Sequence, residues 1–274
     1  MTVPMRRGVL ASRLSSLLCR SAIAALATIA PLLSACSLSP LNHRINVGQE
    51  PFIIFVGDGI DHHTDLFAAA AGGGTVAQVT FTPLVEQGPR LTPIGDVVAF
   101  LRMRDTLPGT RHDVVVMNLL SGSEVVLGLP AGSGQPERVA WSPDASNLYI
   151  RTDRGVWQST APPMRSAVMP VASSERADAD SALELWLGQP RFARVVGCAA
   201  GGLCVVGPKG DTTALAPTGS DALRWGDDSV AWFENNGVTV RSLGPGRSRR
   251  VNWRNPPVHP RDGSYAAGAP IRSQ

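Results

Sequence analysis

Ala140-Trp141-Ser142-Pro143-Asp144-Ala145-Ser146-Asn147-Leu148-Tyr149-Ile150 is the stretch on which the fold turns. Proline has no N–H to give to a sheet ladder, so a strand running through Trp141 ends at Pro143. Asp144, Ser146 and Asn147 bond readily to nearby backbone and favour a chain reversal. The alternation that follows, through Leu148 and Ile150, opens a second strand. The same unit stands earlier, in Arg90-Leu-Thr-Pro-Ile-Gly-Asp-Val-Val-Ala-Phe100. Pro93 and Pro143 each precede an apolar residue, Phe100 or Ile150, by seven positions and follow a bulky one, Leu91 or Trp141, by two.

Each copy continues in kind. A third strand is expected at Asp113–Leu119 and Gly155–Ser159, and a fourth at Glu124–Leu127 and Ala167–Val171. Pro51–Val56 and Asp65–Gly74 carry an earlier copy. Leu183–Leu187 is read as the first strand of a later one, which includes the Cys198–Cys204 hairpin. Leu223–Phe233, Gly237–Leu243 and Ser248–Trp253 make a further copy. Repeats of roughly 40–50 residues with four strands each are the pattern of propeller blades. The fold class is therefore all-β: a β-propeller of five four-stranded blades, with a degenerate sixth as the alternative. Pro257–Ala267 starts like another unit, and the first copy has no room for its own first strand. A C-terminal strand completing the N-terminal blade would remove an open sheet edge.

These residues resemble the TolB-type β-propeller, a relative of the WD40 family. Trp141-Ser142-Pro143-Asp144 carries most of the likeness, supported by Val97-Val98-Ala99-Phe100 and Asp113-Val114-Val115-Val116-Met117-Asn118. It extends well over residues 50–170 and loosely over 183–267. Ala145 stands where the family has a turn glycine, and Ile94 where it has an aspartate. The resemblance implies a module that binds protein or envelope partners, not an enzyme. It implies no cofactor.

The N-terminus has a separate logic. Residues 1–35 hold four arginines and no acid, and Ser21–Leu33 is almost wholly apolar. That run is shorter than the roughly 20 residues needed to cross a bilayer and has the form of an export signal. It ends in Leu33-Ser34-Ala35-Cys36, which resembles the lipobox of bacterial lipoproteins. The expected organisation is a signal peptide over 1–35, a tether over 36–50 lipidated at Cys36, the propeller over 51–267 and a tail over 268–274. Ser37 after the cysteine points, by the same resemblance, to an outer membrane facing the periplasm.

Loss of the signal takes four arginines with it and turns a formal charge of +3 into about −1. Nucleic acid is not an expected partner, since the arginines after Arg241 lack interleaved aromatics. Expected partners are the membrane, through the lipid, and a protein of the cell envelope. Cys198 and Cys204 flank a Gly-rich turn and are expected to form a disulfide in an exported chain. The densest polar cluster is Asp58, Asp61, His62, His63 and Asp65, residue types that bind divalent cations. It supports an alternative reading as a metal-dependent or hydrolytic propeller. Adjacent residues of an extended chain point to opposite sides, so these five converge only in an irregular loop. No Gly-x-Ser-x-Gly elbow is present, and no catalytic residue is assigned. Of Trp141, Trp157, Trp186, Trp225, Trp232 and Trp253, most are expected to fill the gaps between blades, with one or two at a face as a binding platform.

Overall fold

Short apolar strands punctuated by Gly, Pro, Asp and Asn fold into five antiparallel sheets taken in succession along the chain. The computed structural model describes residues 39–41, 44–59, 63–105, 111–160, 167–184, 194–199, 201–207, 209–217, 220–226, 228–234, 236–242 and 247–268. The expected signal, Cys36, Asp61, His62 and Trp186 lie outside them. Sheet 1 contains β1 (Phe52–Asp58), β2 (Thr64–Ala70) and β4 (Ala77–Gln78), with the short β3 (Gly74–Thr75) between the last two. Sheet 2 is β5 (Glu86–Leu91), β6 (Val97–Met103), β7 (His112–Asn118) and β8 (Glu124–Leu127). Sheet 3 is β9 (Pro136–Trp141), β10 (Asn147–Thr152), β11 (Gly155–Thr160) and β12 (Met169–Pro170). After the helix α1 (Arg176–Glu184), sheet 4 holds β13 (Arg194–Gly197), β14 (Leu203–Val206) and β15 (Thr212–Ala216). Sheet 5 is β16 (Ser220–Trp225), β17 (Ser229–Glu234), β18 (Gly237–Ser242) and β19 (Arg249–Arg254). The chain returns to sheet 1 with β20 (Val258–Ala266), which pairs antiparallel with β1 from Phe52↔Ala266 to Asp58↔Val258. The strand needed to complete the first sheet is thus supplied by the C-terminus.

Period-two alternation explains why the strands are apolar on both faces. In β1, Phe52, Ile54 and Val56 pack against sheet 2 beside Val98, Phe100, Val115 and Met117. The intervening Ile53 and Phe55 point the other way, into a seam with Trp225, Phe233 and Trp253 of sheet 5. In β6 and β7, Ala99, Leu101, Val114 and Val116 turn away from that first seam toward Val139, Trp141, Leu148 and Ile150 of sheet 3. Sheets 4 and 5 meet through Leu203, Val205, Val230 and Trp232. Sheets 1, 2 and 5 therefore lend alternate residues to two seams each, the packing of a β-propeller. The first and last sheets in sequence share one of them, and β3 lies parallel to β19, with Gly74 opposite Trp253.

The paired turns are built as their sequence demands. In sheet 3, Asp144 Oδ1 accepts from the Ser142 hydroxyl at 2.6 Å and from the Ser146 backbone N–H at 3.1 Å. Ala145 sits at φ 57°, in the left-handed region that favours glycine. A non-glycine residue there costs roughly 1–2 kcal/mol. In sheet 2 the matching position is Gly95, at φ +81°, and a Cβ there would lie 2.5 Å from the Phe52 ring.

Of the residues read as the first strand of sheet 4, Leu183 and Glu184 are helical, as are their predecessors from Arg176, and 185–187 lie outside the described residues. The local sequence Arg-Ala-Asp-Ala-Asp-Ser-Ala-Leu-Glu is rich in helix formers and places Asp178 in the first turn, where the helix dipole favours an anion. Ala179 and Leu183, four residues apart, share one face and pack on Ala140, Tyr149 and Val156 of sheet 3. Arg151 pairs with Asp180 at 2.8 Å and holds the helix there. Among the described residues sheet 4 has three strands.

Candidate functional site

The first strand of a sheet is its innermost, and β5, β9, β16 and β20 converge with the end of α1 on a central cavity of about 580 Å³. Among the described residues its charged lining is Arg90, Arg138, Arg224 and Asp262, three cations and one anion. Leu91, Trp141, Leu183, Leu223 and Tyr265 supply apolar wall.

Irregular inner strands position these groups. β5 breaks register between Gln87 and Arg90, with Gly88 at φ +64°. The freed Gly88 N–H donates to Asp262 Oδ2 at 2.7 Å, and Arg90 Nη1 reaches Asp262 Oδ1 at 3.1 Å. The Leu91 N–H donates to Ser264 Oγ at 2.9 Å, so sheets 1 and 2 are stitched at the cavity wall. Trp141 Nε1 donates to the Arg90 carbonyl at 2.9 Å and joins sheet 3 to the same wall. Arg138 donates to the Leu183 carbonyl at 3.1 Å, in the last turn of α1, where the helix dipole favours a cation. Arg224 donates through Nε to the Gly226 carbonyl at 2.8 Å. A concave site with convergent cations and an apolar wall suits an anionic group carried on a less polar body.

A second charged cluster is structural. Glu86 is fully buried between sheets 1 and 2, where it accepts from the Thr80 hydroxyl and pairs with Arg102 at 2.8 Å. Arg102 also pairs with Glu124 at 2.6 Å. Burial holds the Glu86 carboxyl above the usual glutamate range, against the opposing pull of Thr80 and Arg102.

The described residues of the candidate metal loop, Asp58, His63 and Asp65, do not form one cluster. Asp58 Oδ2 lies 2.8 Å from His259 Nδ1, and Oδ1 accepts from Arg261 Nη1 at 3.0 Å. Burial pushes Asp58 up, but these bonds and the Arg261 charge outweigh it and keep the carboxyl below its ordinary range. Asp65 faces another direction, accepting from Gln78 Nε2 at 2.8 Å and from the Thr82 N–H at 3.2 Å. Burial raises it. His63 is described, and its carbonyl accepts from Gly59 N–H at 2.8 Å. Asp61 and His62 lie outside the described residues, among which no three His, Cys, Asp or Glu side chains converge.

Cys198 and Cys204 form a disulfide with Cα atoms 5.2 Å apart, across the turn that joins β13 to β14. His112, at the start of β7, is half-buried between Gln87 and Gln135, whose amide nitrogens lie 3.1 Å from its two ring nitrogens. Four of the tryptophans, Trp141, Trp225, Trp232 and Trp253, lie in the seams between sheets.

Sequence reasoning missed the cavity arginines. The signal was present: each of β5, β9 and β16 carries one arginine among apolar neighbours, at Arg90-Leu91, Arg138-Val139 and Leu223-Arg224-Trp225.

No protein-family model and no curated protein matches the chain. Among solved structures, the chain is similar to a chain of the nidogen/laminin complex, at TM-score 0.44 and 8% identity, over 80% of this chain and 100% of that one. It is also similar to TolB from Acinetobacter baumannii, at TM-score 0.39 and 12% identity, over 78% of this chain and 66% of TolB. The tricorn protease gives TM-score 0.37 and 15% identity, over 79% of this chain and 24% of the protease.

Proposed function

We propose that the protein is a cell-envelope lipoprotein, anchored through Cys36 at an outer membrane, whose five-bladed propeller is a non-enzymatic binding module for a protein or envelope polymer. The observation that carries the binding role is the central cavity, whose described lining sets Arg90, Arg138 and Arg224 around Asp262. It favours a ligand that presents carboxylate or phosphate groups at the end of an extended segment. Ring closure by β20 supports the role as well, because it fixes the inner strands and pre-organises the site. The export reading rests on the basic and apolar N-terminus ending in Leu33-Ser34-Ala35-Cys36, and the disulfide fits an oxidising compartment.

Crosslinking and affinity capture of the lipidated protein from its own envelope tests the reading. Wild type should enrich a partner that the folded double variant Arg138→Glu, Arg224→Glu loses. Enrichment that ignores the charge reversal would remove the cavity from the binding site.

A further inference from the structure

The segment between Cys36 and the first strand is mostly part of the fold. The Ser39 hydroxyl donates to the Leu119 carbonyl at 2.6 Å. Leu41 is fully buried in the seam of sheets 1 and 2, together with Ile45, Leu91 and Leu119. The Leu119 N–H in turn donates to the Asp96 carbonyl at 2.8 Å, tying the turn after β7 to the turn after β5. The chain therefore leaves the domain toward its N-terminus from these two joined turns.

The same turns carry two exposed apolar side chains, Ile94 at 44% and Leu120 at 56% exposure. Both are held rigidly. Asn118 Oδ1 accepts from the Leu120 N–H at 2.9 Å and the Ser121 N–H at 3.0 Å, so Leu120 is presented at the tip of a closed turn. The turn of Ile94 is locked by the Thr92 hydroxyl donating to Asp96 at 2.6 Å.

Cys36 is three residues from Ser39, a reach of no more than about 11 Å. The headgroup layer of a bilayer is itself roughly 5–8 Å deep on each side. A lipid on Cys36 thus keeps the Ile94 and Leu120 turns within a few ångströms of the headgroup layer, where an apolar side chain gains by reaching the acyl boundary. Exposed Arg44, in the docked segment, adds a cation beside an anionic surface.

Resting on the lipid-anchor reading, we propose that Ile94 and Leu120 form a membrane-contact patch that seats the rim of sheet 2 on the bilayer holding the anchor. The contact is one-sided. The corresponding turns of sheets 3 and 5 present Asp144 and Asp228, both exposed, which an anionic lipid surface repels. The propeller leans on sheet 2, and the cavity, which reaches this end at Pro93, Pro143 and Gly226, stays open along the membrane plane.

The test uses the full-length lipidated protein carrying Leu120→Cys, Ile94→Cys or, as control, Phe81→Cys, each labelled with an environment-sensitive dye. Phe81 is 74% exposed and precedes β5, at the opposite end of that strand from Ile94. The proteins are reconstituted into phosphatidylethanolamine–phosphatidylglycerol vesicles doped with nitroxide-labelled lipid. Melting temperatures of the three variants confirm folding, and the mass of the N-terminal peptide reports acylation of Cys36. Several-fold stronger quenching and blue-shifted emission at positions 94 and 120 relative to 81 is the expected result. Equal quenching at all three, with Cys36 acylated, overturns the contact patch alone. An unacylated Cys36 overturns the anchor and the patch together.

Discussion

Replacing Phe55 by alanine strikes the seam where the ring closes. Its side chain is fully buried, stacks on Trp253 at 4.6 Å and 11°, and lies 5.6 Å from Phe233, both of sheet 5. Phe67 of its own sheet completes the group at 6.2 Å. Truncating a buried phenylalanine costs about 3–5 kcal/mol. A favourable aromatic pair adds about 0.5–1.5 kcal/mol beyond area burial. Phe55→Ala should therefore lose about 4–6 kcal/mol of unfolding free energy. In a domain of this size each kcal/mol shifts Tm by about 2–4 °C, which gives a fall of roughly 8–24 °C. Chemical denaturation measures the free energy, thermal melting the Tm, and Trp253 emission should change with them. Phe100→Ala, at the seam of sheets 1 and 2, is the reference, because that residue is equally buried but lies outside the seam of sheets 1 and 5. A cost below about 1.5 kcal/mol for Phe55→Ala, the range of volume-conserving swaps, would refute the closed seam. A normal cost at Phe100 in the same series would locate the failure at sheets 1 and 5.

Glu86 gives a pH prediction. Its folded pKa is raised above the ordinary 4.5 by burial, so its stabilising contribution is complete below that value and is lost as pH rises through the folded pKa. Melting curves from pH 4.5 upward should show wild type declining relative to Glu86→Gln, and parallel curves would contradict the assignment. Asp58 works in the opposite sense: its lowered pKa adds stability that disappears only as pH falls below 3.8. Reducing the disulfide, which joins residues six apart, should cost about 2 kcal/mol by loop-closure entropy. A reductant that leaves the melt unchanged would argue against that share. Zinc, calcium or manganese should leave Tm unmoved, since Asp58 and Asp65 are bonded to protein groups. A rise abolished by Asp61→Ala would restore the loop as a metal site.

The strand repeats were legible because their signals are local. Pro93 and Pro143 mark where an inner strand stops, and the alternation behind each places Phe100 and Ile150 in fully buried positions. The disulfide was legible for the same reason, as a hairpin needs only its own turn. Three things were not. Leu183 was assigned by apolar content to a strand, although its spacing from Ala179 is helical and Asp178 sits where a helix begins. The parallel contact of β3 with β19 has no local signature, because it depends on how two distant turns meet. The cavity needed the ring: Arg90, Arg138 and Arg224 look like ordinary solvated arginines until inner strands from separate repeats are set around one axis.

The pairing of β20 with β1 also has a meaning in time. Asp58 and His259, which meet in that sheet, are 201 residues apart. A chain made from its N-terminus exposes Phe52–Asp58 long before the partner strand exists. Sheets 2 and 3 can zip up from local hairpins, whereas the first-born sheet must wait with one edge bare. Until β20 arrives, that bare edge is open to any compatible strand, β20 of a neighbouring copy included. Whether β20 finds its own β1 or another's decides whether the fold is completed within one chain or between two.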